Sequence, residues 1–121
     1  MSDFQALQAL IQDYFDALYE GDTEKFGQIF HPTARLFTAG PDGIVSLDFD
    51  TYMSRVASRP SSASRGDARD DEIVSLVIPA PTIAHAVVKD CYLPMHFITY
   101  LSFVKSGGRW IIVNKTWYTA S

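Results

Sequence analysis

Two different spacings of hydrophobic residues divide the chain into a helical beginning and a strand-rich end. From Phe4 to Leu18, large apolar side chains recur every three or four residues, which is the period of one buried helix face. Ser2, with Gln5 three residues later, forms a capping-box pattern at the start, and Gly21 is a stop signal. The sequence therefore predicts an amphipathic helix that ends just before Gly21.

A second, shorter helix is predicted over the segment TEKFGQIF. Asp22 can cap it, and Phe26 and Ile29 share one side. Pro32 disfavours helical backbone at the preceding residue, so the helix should end near His31. The position of His31 at this corner has two interpretations: it marks the end of the helix, or it faces a pocket and transfers protons.

After this corner the period of the apolar residues changes to two, which predicts strands. ARLFTA and IVSLD flank the turn-forming tetrad GPDG and should form a hairpin. Asp48 or Asp50 then begins a third short helix. The last fifty residues contain four strand candidates joined by short connections, namely EIVSLVI, TIAHAVVKDCYL, HFITYLSFVK and RWIIVNKTWYT.

The polar segment 58–71 lacks large apolar residues and is predicted to be an exposed loop. Its three arginines, Arg59, Arg65 and Arg69, leave two interpretations open. The segment is either a solvated connection or a flap that touches an anionic ligand.

The predicted order is two helices, a hairpin, a helix and a four-strand meander, which is an α+β arrangement in one domain spanning residues 1–121. Along the final strand, alternation groups Asn114 with Ile112 on one face and Lys115 with Trp117 on the other. Neither face is cleanly polar, and about three short helices cannot cover both. We therefore expect a symmetric homodimer through the sheet. A strongly curved sheet that shields part of itself is the alternative.

Composition narrows the functional classes. The chain has 121 residues, 47% of them hydrophobic, which is enough for a core of its own. The net charge of −4, without a polybasic run, disfavours nucleic acid as a partner. Cys91 is the single cysteine, which fits a reducing compartment. No stretch approaches the roughly 20 apolar residues of a membrane span, and no secretory signal is recognisable, so a cytoplasmic protein without membrane partners is expected.

Several stretches together are similar to a known family. GDTEKFGQIFHPTARLF, PDG, TIAHAVVK and YLSFVKSGGRWIIVNKTWY resemble the putative lumazine-binding (SnoaL-like) family of the nuclear transport factor two-like superfamily. The resemblance implies a cystatin-like fold: a cone-shaped, curved antiparallel sheet wrapped around a long N-terminal helix, with a cavity inside. It does not select one function, because relatives include isomerases, dehydratases, polyketide cyclases and non-catalytic domains. Where relatives often carry an aspartate before Tyr-Leu-Ser, this chain has Thr99.

A cavity in such a cone would draw its lining from the sheet, the first helix and the segment after the second helix. The predicted ligand-binding residues are Tyr14, Tyr52, His96, Tyr100, Asn114, Lys115 and Trp117. Aromatic rings give apolar area and one polar group each, which suits a flat ligand. Lys115 is either a nucleophile with a lowered pKa, a partner of Asp90, or a side chain that extends to water.

A general base is predicted at His31 or Asp13, because Asp13 and Asp90 are the only acidic residues placed to point inward. His31, His85, His96 and Cys91 are dispersed along the chain, so neither a metal site nor a cofactor is expected. The preferred hypothesis is a protein that binds a small molecule in an apolar or aromatic pocket without demonstrated catalysis. The alternatives are an enzyme of the isomerase, dehydratase or cyclase kind, and a non-catalytic dimerisation module.

Overall fold

The computed structural model describes residues 1–120 and contains four helical segments and six strands. The helices are α1 (Asp3–Glu20), α2 (Thr23–Ile29), α3 (Phe49–Ala57) and the single turn α4 (Ser62–Arg65). The strands are β1 (Phe30–Gly40), β2 (Gly43–Asp48), β3 (Glu72–Ala80), β4 (Ile83–Tyr92), β5 (Met95–Ser106) and β6 (Arg109–Thr119). None of these helices has the length and apolar character needed to cross a bilayer.

The helix boundaries follow the predicted capping signals. The Gln5 backbone N–H donates to Ser2 Oγ at 3.1 Å, and Gln5 Oε1 accepts the Ser2 N–H, also at 3.1 Å, so the capping box is complete. Gly21 ends α1 in the left-handed region, with φ of 64°. Asp22 and Asp48 cap α2 and α3 through their carboxylates. These local predictions are confirmed because each depends only on residues within one helical turn.

The six strands form one open sheet in the order β2-β1-β6-β5-β4-β3. Four neighbouring pairs are antiparallel, as the short connections predicted. The pair of β1 with β6 is parallel, so the sheet is mixed, which corrects the expectation of a fully antiparallel sheet. The parallel pair arises because the chain leaves the first hairpin, builds the four-strand meander, and returns its last strand beside β1.

The inner face of the sheet packs on α1 and α2 and holds the core. Tyr14, Phe26, Phe30, Phe103 and Ile112 are completely or almost completely buried there. Several of their rings meet edge to face or tilted, for example those of Phe26 and Phe30, whose centroids are 5.8 Å apart. The apolar stripe of α1 therefore packs on the inner face of the sheet, as its helical period predicted.

The segment 58–71 is exposed, but it is more ordered than a plain loop. It contains α4, which Ser61 caps by accepting the Ser64 backbone N–H at 3.0 Å. Arg65 pairs with Asp67 at 3.2 Å. Arg69 pairs with Asp16 of α1 at 2.9 Å and so ties the segment to the first helix. Two of the three arginines therefore bind carboxylates of the chain itself.

Candidate functional site

A cavity of about 390 Å³ opens at one end of the inner face of the sheet. Its volume and its mainly apolar, aromatic lining with a few polar groups are typical of small-molecule sites. The lining comes from α1, β2, α3, the end of β4, the beginning of β5 and the end of β6, with Arg59 after α3 and Leu93 in the β4–β5 turn. The residues are Leu18, Leu47, Tyr52, Arg55, Arg59, Asp90, Tyr92, Leu93, Met95, Phe97, Lys115, Trp117 and Thr119.

A β-bulge in β6 decides which side chains reach this cavity. Phe103 pairs with Ile112, but the next residue back on β5, Ser102, pairs with Asn114, so Val113 is an extra residue. The bulge interrupts the alternation of sides. Lys115 consequently points inward like Ile112, whereas unbroken alternation would have placed it on the outer face.

The predicted assignment of strand faces is therefore wrong beyond Ile112. Asn114, which was grouped with Ile112, lies on the outer face and accepts a hydrogen bond from the Thr116 hydroxyl at 3.0 Å. Lys115 and Trp117 line the cavity instead. Because a bulge depends on pairing with a distant strand, alternation within β6 alone could not reveal it.

Lys115 is 7% exposed and is surrounded by aromatic rings. Its Nζ donates to the Tyr52 hydroxyl at 3.0 Å and lies 4.9 Å from the centroid of the same ring. The rings of Tyr14 and Trp117 lie 5.2 and 5.8 Å from Nζ. These contacts are cation–π interactions, which stabilise an ammonium group that has lost most of its water. The structure thus brings together four predicted residues: three line the cavity, and Tyr14 lies behind them.

Asp90 is the buried carboxylate of the site, with 3% of its surface exposed. Its Oδ2 accepts the Tyr14 hydroxyl at 2.8 Å, and its Oδ1 accepts the Thr99 hydroxyl at 3.3 Å. Burial raises the pKa of Asp90, and the opposing effects of the Lys115 charge and of these two hydrogen bonds do not cancel the rise. Burial and the neighbouring carboxylate also hold the pKa of Tyr14 well above its ordinary value, so this phenol is a neutral donor.

From the sequence, Asp90 is predicted only as an inward acidic residue and a possible partner of Lys115. Among residues 1–120, Asp90 forms no ion pair with Lys115 within 4 Å, and its direct partners are Tyr14 and Thr99. A signal was present, since Ala84, Ala86 and Val88 are the preceding inward positions of β4 and Asp90 continues their alternation. The neighbouring strand β5 supplies Thr99, whose hydroxyl donates to Asp90.

The mouth of the cavity is positively charged, and a hydrogen bond holds one side of it in place. Arg55 and Arg59, both exposed, contribute to its lining. Leu93, at the tip of the β4–β5 hairpin, has φ of 56°, an uncommon conformation for a residue other than glycine. Its backbone N–H donates to the Oγ of the buried Ser62 at 3.1 Å, which holds the tip against α4. The interior is therefore apolar and aromatic, and anionic groups would be favoured at the mouth.

The two predicted catalytic residues lie outside this cavity. His31 is exposed in an irregular part of β1, where its Nδ1 accepts the Thr33 backbone N–H at 3.2 Å and lies 2.7 Å from the Thr33 hydroxyl. This local bonding supports the interpretation of His31 as a corner residue. Asp13 is exposed on α1 and does not line the cavity.

Two further predicted ligand-binding residues also lie elsewhere. Tyr100 is 59% exposed on the outer face of the sheet. His96 is exposed at the beginning of β5, where it contacts Cys91 rather than the cavity. Their positions follow from the period of β5, because Phe97, Thr99 and Leu101 are its inward residues.

Comparisons with known proteins agree on one fold. The model of the family described as "Putative lumazine-binding" matches residues 2–118. The chain superimposes with a TM-score of 0.85 on an NTF-2-like protein of unknown function from Silicibacter pomeroyi, at 22% identity, covering 96% of this chain and 94% of that one. An NTF2-like protein of unknown function from Shewanella baltica gives a TM-score of 0.85 at 17% identity, covering 98% and 94%.

A third solved structure has the same architecture. It is an NTF2-like protein of unknown function from Methylobacillus flagellatus, with a TM-score of 0.81 at 23% identity, covering 98% of this chain and 93% of that one. An uncharacterised protein from Caulobacter vibrioides, described as having a cystatin-like fold, matches with a TM-score of 0.66 at 23% identity, covering 98% and 89%. No curated protein sequence matches the chain. These superpositions establish the NTF2-like, cystatin-like fold and do not identify a ligand.

Proposed function

We propose, from the premise that this chain belongs to the family described as putative lumazine-binding, that it binds a flat, mainly apolar small molecule in the cavity. The observation that supports this proposal is the cavity of about 390 Å³, with aromatic walls and two buried polar groups, Lys115 and Asp90. An apolar body with a few hydrogen-bonding atoms matches this lining.

The positions of the polar groups narrow the ligand class. Tyr52 and Trp117 offer ring surfaces, Lys115 offers an N–H donor, and Asp90 offers a carboxyl group. Arg55 and Arg59 at the mouth favour a ligand whose outer end is anionic. A heteroaromatic ring that enters first, followed by an acidic substituent, satisfies all of these groups.

The test is a thermal-shift and calorimetric screen with heteroaromatic carboxylates against matching neutral compounds. A ligand at a free concentration of about 100 times its dissociation constant adds about 2.7 kcal/mol to the free energy of unfolding. This increase raises the melting temperature by a clearly measurable amount. Trp117→Ala should weaken binding by about tenfold or more, corresponding to 1.4 kcal/mol. Asn114→Ala, three residues away on the outer face, is the matched control and should bind like the wild type. No binding by any compound, or equal binding by Trp117→Ala, would contradict the proposal.

A second candidate function is acid–base catalysis on the bound molecule, and the buried Asp90 carboxyl group favours it. Asp90 would exchange a proton with the ligand, while Tyr14 holds the carboxylate in place. Once a ligand is known, Asp90→Asn should retain binding within a few fold and abolish turnover. Equal turnover by this variant would exclude the catalytic role.

We also propose a homodimer through the outer face of the sheet, in the cytoplasm, which the single cysteine favours. The outer face exposes apolar side chains on three strands: Val77 of β3, and Tyr100 and Tyr118 of the adjacent strands β5 and β6, are 42%, 59% and 66% exposed. Covering such a face removes apolar area from water. Sedimentation equilibrium should give a dimer for the wild type and a monomer for Tyr100→Lys combined with Tyr118→Lys. A monomeric wild type would refute this part.

A further inference from the structure

Three metal-ligating side chains that are far apart in the sequence meet beside the β4–β5 hairpin. Cys91 and His96 are directly paired residues of β4 and β5, so their side chains leave the sheet on the same side. Asp70 comes from the segment that precedes β3. The connection between β4 and β5 is only Leu93 and Pro94, and this short turn brings the thiol and the imidazole together.

The distances among the three groups are close to those of a tetrahedral metal site. Cys91 Sγ lies 3.1 Å from His96 Nδ1, and His96 Nδ1 lies 3.8 Å from Asp70 Oδ2. All three ligand atoms lie within 4.8 Å of one another. With Zn–S near 2.3 Å and Zn–N and Zn–O near 2.0–2.2 Å, tetrahedral coordination places S and N about 3.6 Å apart and N and O about 3.4 Å apart. Changes of about 0.5 Å bring these two distances to the tetrahedral values, and the sulfur-to-oxygen distance, at most 4.8 Å here, would have to become about 3.6 Å.

The surroundings of the thiol are negatively charged. Burial, followed by the carboxylates of Asp70, Asp90 and Asp71, raises the pKa of the Cys91 thiol. The carboxylates of Asp70, Asp71 and Asp90 near the thiol make the surroundings negatively charged, which favours a bound cation. Asp71 is engaged with Arg69 at 3.1 Å, whereas the contact of the Asp70 carboxylate is with His96, at 3.8 Å.

We propose that Cys91, His96 and Asp70 bind one divalent cation of the zinc class, with water as the fourth ligand. Thiolate, imidazole and carboxylate form a borderline-soft ligand set that suits zinc better than magnesium or calcium. The cation would join the hairpin to segment 66–71. Because Leu93 and Met95 belong to both this hairpin and the cavity rim, the cation would also fix one side of the mouth. The proposal stands independently of the ligand in the cavity.

Cobalt is the probe, because Co²⁺ occupies zinc sites and gives a thiolate-to-metal charge-transfer band together with visible bands that report the coordination geometry. The chain contains one cysteine, so a charge-transfer band can arise only from Cys91. Titration of the full chain, stripped with a chelator, should give a tetrahedral spectrum that saturates at one cobalt per chain. Added Zn²⁺ should remove the band.

Substitutions separate a built site from a lone thiol. Cys91→Ser should remove the charge-transfer band. Loss of an outer-sphere partner typically weakens metal binding by roughly 10- to 100-fold, and His96→Asn, which removes a direct ligand, should weaken Zn²⁺ binding by more than that. Asp70→Asn should weaken binding by about tenfold or more. His85→Asn is the matched control, because His85 is an exposed histidine on the outer face of β4, six residues from Cys91, and it should bind like the wild type.

Three results would overturn the proposal. They are the absence of a charge-transfer band at cobalt excess, saturation at one cobalt per two chains, and wild-type affinity in either His96→Asn or Asp70→Asn. All three ligands lie at or near the surface, and far-ultraviolet circular dichroism verifies that each variant is folded. As a second readout, Zn²⁺ should raise the melting temperature of the wild type and of His85→Asn but not of Cys91→Ser.

Discussion

The two ends of the inner sheet face use the same three strands for opposite purposes. At the filled end, β4, β5 and β6 contribute Val88, Leu101 and Ile112, which are completely buried against the helices. At the hollow end, the same strands contribute Asp90, Phe97 and Lys115, which line the cavity. A few residues along each strand separate the two environments.

This contrast shows where the stability of the fold and the chemistry of the site are located. Burial of an apolar side chain contributes about 1.5–3 kcal/mol, so the filled end stabilises the fold. Burial of Asp90 and Lys115 is unfavourable unless hydrogen bonds and ring contacts compensate, and the hollow end provides both. The hollow end therefore depends on the stability that the filled end supplies.

The largest expected loss of stability comes from truncating a buried side chain at the filled end. Leu101→Ala removes a side chain with no exposed surface and should lower the free energy of unfolding by about 2–5 kcal/mol. Phe97→Ala, four residues earlier on the same face, enlarges an existing cavity and should cost clearly less. Urea unfolding measures both variants. Equal losses would mean that the two ends are packed alike.

A smaller loss is expected from the buried carboxyl group of the hollow end. Asp90→Ala leaves the Tyr14 hydroxyl, which is completely buried, without its acceptor and should cost about 1–3 kcal/mol. Asp90→Asn keeps an oxygen that can accept this bond and should cost less. Chemical denaturation at neutral pH compares the two variants, and equal costs would indicate that the hydrogen bond contributes nothing.

The smallest effects separate two carboxylates by the sign of their pH dependence. The pKa of Asp90 is raised in the folded chain, so its favourable contribution is present at low pH and is lost as pH rises from the ordinary value through the raised folded pKa. For Asp16, burial is outweighed by hydrogen bonds from Arg69 and Gln12, which lower its pKa. Its contribution is present at neutral pH and is lost as pH falls through that lowered value.

Unfolding measured from acidic to neutral pH tests these signs. The stability of Asp90→Asn relative to the wild type should rise with pH, whereas that of Asp16→Asn should fall. The Asp16 effect should stay below about 1 kcal/mol, because its ion pair with Arg69 is partly exposed. Parallel pH profiles of the two variants would remove the proposed difference between a buried and a surface carboxylate.

Features that depend on residues close together in the sequence were predicted correctly. Helix caps at Ser2, Asp22 and Asp48, and the strand segments, follow from short-range patterns that the fold did not overrule. Tyr52, Lys115 and Trp117 were predicted to bind a ligand, and the structure places all three in the lining of the cavity. These residue types stood out because they combine apolar area with a polar group.

The remaining features depend on pairing between distant segments. The parallel contact of β1 with β6 and the extra residue at Val113 are set by strand register, which no single segment encodes. The meeting of Cys91 with His96 depends on a two-residue hairpin turn. The exposed position of His31 likewise depends on the irregular pairing of β1 with β6 between Phe30 and Arg35.

The position of the bulge at Val113 determines which side chains at the end of β6 face the cavity. If the bulge lay beyond Lys115, Asn114 would face the cavity and Lys115 would face outward. An amide would then replace the ammonium group in the cavity, although both residues would be unchanged. The position of one unpaired residue therefore sets the chemical character of this wall of the cavity. Alignments that compare positions column by column would overlook such a change, because the letters stay the same while their orientation reverses.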